Sequence, residues 1–476
     1  MLESLLGFGQ LTSFIGNADA NFRLGGSFGN PGAYAGYLAV VAPLILSALL
    51  TYHRLKKAEN IHYILYACMI FIMYMLFLAK SRGAFLAFGL GCFWVLNNRF
   101  AILDKIGSRL NTGWRKMLAT LSIILMVSAG GYILYQLKAD SAFGRTLVWK
   151  ITAAAPHDHL LAGNGAGYFE ANYGKWQSTY FAQSGGTEAE RYVADYVTCA
   201  YNEFIATALE QGIPACVLMA ALIFLAFRQK SKNNSALAAG AKASLAAIVV
   251  LMCVSYPFNI LPVYLYFVFC LAVIFYNPSG FCLKMKRMAV SQWIVCLLAA
   301  LIFAAGVYHL YGVHHLRKGQ QQVFANQPHE AVKHYEKAAL ILKNSGIFHF
   351  YYGSALALTQ QYSASAAELE ASVKTSSNPH SYIMLGNVYK ELGRTEAAKQ
   401  AYLTAVYMTP SKLFPKYLLA KLLADASEPD EAAKWAQEII AAKEKIPTTA
   451  AKEIKEEMKL LLQSIENKRD TQQNEK

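Results

Sequence analysis

This chain is short of charge. Asp, Glu, Lys and Arg make up 16% of its 476 residues, where a soluble globular domain carries about a quarter. That shortage excludes a wholly water-soluble protein. The eight cysteines include no CxxC pair and sit mostly in or beside apolar runs. A zinc ribbon and a disulfide framework are thereby excluded, and the cysteines read as small core residues. The first 32 residues lack the basic start and long apolar stretch of a signal peptide. Gly163-Asn164-Gly165-Ala166-Gly167 has neither the Gly-Lys-Ser/Thr ending nor the preceding strand of a nucleotide loop, and reads as close backbone packing or a loop that hugs a substrate. The formal net charge is +14, yet no nucleic-acid motif accompanies it. The basic residues cluster between apolar runs, the pattern expected of cytoplasmic loops. No nucleic-acid partner is expected.

What is present is hydrophobic length. Runs near the 20 or so residues that a bilayer requires occur at 33–53, 61–80, 82–98, 117–137, 202–227, 237–257, 260–277 and 289–311. Every second connection is basic: Arg54, Lys56 and Lys57; Arg99, Lys105, Arg109, Arg115 and Lys116; Arg228, Lys230 and Lys232; Lys284, Lys286 and Arg287. Those loops are expected inside, with residues 1–32, the turn at 80–82, the long loop 138–201 and the C-terminal part outside. Gly89, Gly91, Gly130 and Gly131 read as helix-packing positions.

The last third changes character. Tyr382, Leu385, Gly386, Tyr389, Ala398, Tyr402, Ala405 and Pro410 fall where a 34-residue tetratricopeptide unit needs them. Ala331 with Tyr335, and Ala432 with Trp435, echo the period, while 351–371 fits it less cleanly. The expected fold is all-α: a polytopic domain of about eight transmembrane helices over 33–311, then a soluble tetratricopeptide-like solenoid over 312–465, and a fraying tail at 466–476.

Candidate chemistry concentrates at the outer face. Arg82 follows a tight turn, Arg145 opens Arg145-Thr146-Leu147-Val148-Trp149, and Arg23 precedes a glycine-rich stretch. A guanidinium in such a place grips two phosphate oxygens at once. Its plainer role is to anchor a helix at the headgroups. His157, Asp158 and His159 are too close in sequence to converge on one ion, so no metal is expected.

These residues resemble the O-antigen ligase and O-antigen polymerase family of bacterial envelope proteins. The resemblance rests on Gly26-Ser27-Phe28-Gly29-Asn30-Pro31, Ser81-Arg82-Gly83-Ala84, Arg145 to Trp149, His159 through Gly163, Gly165 and Gly167 to Phe169, and Tyr201-Asn202 before Glu210-Gln211-Gly212. It spans about residues 20 to 280. It implies a multi-pass protein of the bacterial inner membrane with a periplasmic C-terminal domain. It also implies transfer of a glycan from undecaprenyl diphosphate to a hydroxyl of lipid A–core, another glycan or a protein, without metal or cofactor. By the same resemblance Arg82, Arg145 and Arg23 would hold the diphosphate, and His159, Tyr201 and Asn202 would sit near the acceptor. Two features depart from the family. Tyr201 stands where the family has a histidine, and a phenol with an ordinary pKa near 10 is a poor base at neutral pH. The family's earlier membrane helices are missing ahead of the Gly-Ser-Phe segment. A second reading is therefore a non-catalytic membrane scaffold whose repeats recruit envelope-assembly proteins.

Overall fold

A computed structural model describes residues 1–17, 19, 22–52, 59–109, 139–229, 236–276, 289–444 and 448–474. Every regular element among them is helical. In chain order these are α1 (Leu2–Leu11), α2 (Pro31–Tyr52), α3 (Glu59–Ala79), α4 (Arg82–Phe100) and α5 (Ile102–Arg109). Then come α6 (Ala139–Ala154), α7 (Tyr168–Ser184), α8 (Glu188–Val193), α9 (Glu203–Glu210), α10 (Ile213–Arg228), α11 (Ala236–Val254) and α12 (Leu261–Phe275). The C-terminal part holds α13 (Ala289–Phe324), α14 (Pro328–Ala338), α15 (Gly346–Leu358), α16 (Tyr362–Thr375), α17 (Pro379–Glu391), α18 (Thr395–Met408), α19 (Leu413–Asp425), α20 (Pro429–Ala441) and α21 (Thr449–Asn474). Short 3₁₀ turns cover Gly26–Phe28 and Pro257–Asn259.

The chain divides into two compact units. One takes Met1–Ala139, His157–Ala166 and Cys199–Cys282; the other takes Asp140–Pro156, Gly167–Thr198 and Leu283–Lys476. The long loop expected at 138–201 is thus shared between them.

In the first unit α11 is the hub. It is built largely of Ala, Ser and Gly, and its buried residues run from Ala238 to Met252. Such small side chains let helices approach closely. A Cβ on Gly240 would lie 2.7 Å from Leu44 Cδ1, and one on Gly91 would lie 2.5 Å from Pro43 Cγ and 3.1 Å from the Ala243 carbonyl oxygen. So α2, α4 and α11 meet where their side chains are smallest. Gly91 fits the packing role expected of it. A Cβ on Gly89 would meet nothing within 4 Å, and Gly130 and Gly131 lie outside the described residues.

Among the described residues four helices are long and apolar enough to cross a membrane: Pro31–Thr51, Ile61–Ala79, Ala236–Val254 and Cys296–Phe324. Sequence reading expected about eight. The difference has identifiable causes. The α4 helix carries Arg82 at one end and Asn97, Asn98 and Arg99 at the other. The expected run 202–227 breaks at Gln211–Gly212, leaving Ile213–Arg228 as a shorter apolar helix, and Leu261–Phe275 is a second. The expected span 117–137 lies outside the described residues. Lys242, the cation nearest mid-span, donates to the Phe227 and Gln229 carbonyl oxygens at the end of α10. Those are C-terminal carbonyls with no partner inside their own helix.

The second unit is a tetratricopeptide-like array. Gly319 faces Tyr335, Gly353 faces Leu369, and Gly386 faces Tyr402, each so closely that a Cβ on the glycine would collide with the partner ring or side chain. Each pair is sixteen residues apart. The pair in the last repeat is Ala420 with Ala436, both fully buried. The turns between paired helices repeat as well: Asn326, Gln360, Gly393 and Ser427 all take positive φ, between 58° and 70°. Four repeats therefore stand where sequence reading finds one clear unit and weaker echoes. Leu369 in the aromatic position explains why 351–371 fits less cleanly. The first repeat begins inside α13, so the long apolar helix runs without interruption into the solenoid. Helix α21 continues to Asn474, past the expected start of a frayed tail at 466.

Pieces of the long loop belong to this unit. The Ser377 hydroxyl donates to the Glu170 carbonyl oxygen at 2.6 Å and accepts the Gly174 N–H at 2.9 Å. The Gln177 amide donates to the carbonyls of Asp195 at 3.1 Å and Met408 at 2.5 Å. Lys150 joins the pieces to each other, reaching Glu190 at 2.6 Å and the Tyr180 hydroxyl at 2.8 Å.

Candidate functional site

The segments that carry the sequence signal meet at one end of α11 in the first unit. Asn202 caps the N-terminus of α9: its side-chain oxygen accepts the N–H groups of Phe204 at 3.0 Å and Ile205 at 3.1 Å. Its amide nitrogen donates to the Cys253 carbonyl at 3.1 Å, one residue from the end of α11. One side chain thus satisfies orphan groups at two helix ends. Both functions of the Asn202 amide are engaged in holding structure.

Asn202 is flanked by Tyr201 and Glu203. The Tyr201 backbone sits at φ 51°, a left-handed conformation unusual outside glycine. Its ring packs edge-on against Tyr256, with centroids 5.8 Å apart. Glu203 is 5% exposed, and its Oε1 accepts the Phe258 N–H at 2.8 Å. Burial pushes the Glu203 carboxyl up to about 7, against the lowering effect of the Phe258 hydrogen bond and with a contribution from the Glu210 charge. This residue opens α9, outside the apolar helix Ile213–Arg228. Sequence reading missed it. The signal for it was its place directly after Asn202, an acidic residue at the start of an otherwise apolar run.

Arg82 arrives at the same end of α11. It opens α4 after Lys80, which turns the chain at φ 49°. A Cβ on the adjacent Gly83 would stand 3.4 Å from Val254 Cγ2, beside the carbonyl that Asn202 holds. The α2 helix enters here too, since a Cβ on Gly36 would lie 3.4 Å from Leu251. Its entry is built by α1. Gln10 accepts the N–H groups of Gly25 at 3.0 Å and Gly26 at 2.8 Å, and Glu3 accepts from the Ser27 hydroxyl at 2.6 Å. Asn30 then accepts the Gly32 N–H at 2.7 Å in the first turn of α2. Arg23 stands exposed just ahead of this turn.

The glycine loop docks on the other end of α9. The Asn164 N–H donates to the Leu209 carbonyl at 3.0 Å, Gly165 N–H to Glu210 at 2.9 Å, and Ile213 N–H to Leu160 at 2.8 Å. Gly163 at φ 81° faces the Glu210 and Gln211 backbone, Gly212 at φ 93° faces the Leu161 carbonyl, and a Cβ on either would collide with a carbonyl oxygen. Both the conformation and the space require glycine. The loop is a backbone junction of the kind expected. The exposed His159 belongs to this junction, about 12 Å of helix away from the Asn202 cap. The structure therefore does not join His159 to Tyr201. Arg145 and Trp149 lie one turn apart on α6, in the second unit, both half-buried. Among the described residues no group of three or more His, Cys, Asp or Glu is placed to hold a metal ion.

One class of module can be assigned outright. Residues 379–412 match the tetratricopeptide repeat family, over α17 and α18 and the turns that follow them. Solved structures similar to the chain include MamA, at 20% identity over 26% of this chain and 73% of that one, with a TM-score of 0.26. YrrB, described as a tetratricopeptide protein with an unusual peptide-binding site, is 18% identical over 26% and 64%, with a TM-score of 0.25. Yeast Tom70 is 10% identical over 90% and 96%, also with a TM-score of 0.25. With TM-scores this low, the repeat assignment stands on the family match and on the glycine contacts between paired helices. No curated protein matches the chain.

Proposed function

We propose that the chain is an integral protein of the bacterial inner membrane that transfers a glycan from undecaprenyl diphosphate to an acceptor hydroxyl on the outer face, in the manner of O-antigen ligases and polymerases. The observation that supports this is the gathering of separate motif segments at one end of α11. Gly83 approaches Val254, Asn202 bonds to Cys253, Glu203 bonds to Phe258, and α2 enters beside Leu251. In this reading Arg82 grips the diphosphate leaving group as its charge develops. Tyr201 and Glu203 border the acceptor, and Asn202 and the glycine junction hold them in place. The tetratricopeptide array binds envelope-assembly proteins or the acceptor.

Transfer from undecaprenyl-diphosphate glycan in membranes tests the reading. The parent transfers, and Arg82→Lys, which keeps the charge and loses the two-pronged grip, transfers about a hundred- to a thousandfold more slowly at equal protein level. An Arg82→Lys variant as fast as the parent removes the diphosphate role. A parent that transfers nothing leaves the non-catalytic scaffold, which the tetratricopeptide match favours, as the function.

A further inference from the structure

We propose that the Glu203 carboxylate takes the proton from the acceptor hydroxyl. The inference rests on the transferase reading. Three observations carry it. Glu203 is a carboxylate buried to 5% exposure at the convergence point, between Asn202 and the 257–259 turn. Its Oε1 is held by the Phe258 N–H, and among the described residues that is the one hydrogen bond its carboxylate makes, so Oε2 is left to take a proton. The other candidates are occupied or distant. The Asn202 amide is engaged on three backbone groups, and His159 sits at the far end of α9. A carboxyl whose pKa has risen to about 7 is a stronger base than an ordinary one and still ionises near neutral pH.

The step balances. The acceptor oxygen forms a bond to the anomeric carbon of the donor sugar. The bond from that carbon to the phosphate oxygen breaks, and its electron pair leaves with undecaprenyl diphosphate. The hydroxyl proton passes to Glu203 Oε2 and from there to solvent.

The test compares Glu203→Gln, Glu203→Asp and Glu203→Ala in the full-length protein, with transfer normalised to folded protein in the membrane. The Gln amide oxygen can still accept the Phe258 N–H, so the local structure is retained while the base is lost. Glu203→Gln lowers kcat by about a hundred- to ten-thousandfold and leaves KM for the lipid-linked donor unchanged. Glu203→Asp, which keeps a carboxyl, stays faster than both Gln and Ala. Adding Tyr201→His to Glu203→Gln recovers part of the lost kcat. If Glu203→Gln transfers at the parent rate, or if Asp is no faster than Ala, the inference is wrong while the transferase reading stands. A parent without transfer overturns both.

Discussion

Ser377 is bound to Glu170 across 207 positions of the chain. Its hydroxyl donates to the Glu170 carbonyl at 2.6 Å, and its backbone N–H reaches the same oxygen at 3.1 Å. The same hydroxyl accepts the Gly174 N–H, so one side chain at a repeat junction fastens a helix of the long loop. Replacing it by alanine removes one acceptor of the buried Gly174 N–H and one of the two donors to the Glu170 carbonyl. Ser377→Ala should cost about 1–3 kcal/mol, seen as faster hydrogen exchange across residues 168–184. Unchanged protection there would contradict the contact.

The Lys150–Glu190 pair gives the second unit a pH dependence of known sign. Burial alone would raise the Glu190 carboxyl, but hydrogen bonds from Lys150, the Thr187 N–H and Tyr180 hold it down at about 2. A carboxyl depressed on folding stabilises fully above its ordinary value of 4.5, and the contribution is lost as pH falls towards 2. The parent should therefore lose thermal stability more steeply than Glu190→Gln between about pH 4.5 and 2. Parallel curves would show that the pair contributes nothing.

Much of this was legible in the sequence, for reasons specific to each part. The repeat at 379–412 was readable because Gly386 and Tyr402 keep the residue types the helix crossing requires. The repeats on either side were faint because Leu369 and Ala436 fill the same place with other shapes. Gly163 could be flagged as a close-packing position, but that it docks on the Glu210–Gln211 backbone, and Gly212 on Leu161, is a tertiary fact. The split of the long loop was hidden. Gly174, Gln177 and Ser377 are ordinary residues until the fold brings them together. Periodicity over-counted the spans because apolar composition does not register the break at Gln211–Gly212 or the polar ends of α4. Glu203 escaped notice because a single acidic residue at a helix start is the common way to begin a helix.

The approach of α4 to α11 can be trapped covalently. With the native cysteines replaced, Gly83→Cys and Val254→Cys should oxidise to a disulfide, since a Cβ at 83 would stand 3.4 Å from Val254 Cγ2, a γ position that a sulfur at 254 can take. Gly89→Cys, whose Cβ would meet nothing within 4 Å, should remain reduced alongside the same partner. Cross-linking that is equal in the two pairs would remove Arg82 from the site.

If the chain transfers glycan as proposed, the motif segments share an outward-facing end of a membrane-embedded helical unit, and labelling of single cysteines reports that sidedness. Ser27→Cys and Asp158→Cys, both at exposed positions, are placed one at a time in the protein freed of its eight native cysteines. Asn98→Cys, exposed near the other end of α4, is the inner control. An impermeant maleimide added to intact spheroplasts should label 27 and 158 and reach 98 only after permeabilisation. Labelling of 98 in intact spheroplasts with 27 and 158 protected would place the site on the wrong face for a lipid-linked donor and rule out the proposed transfer.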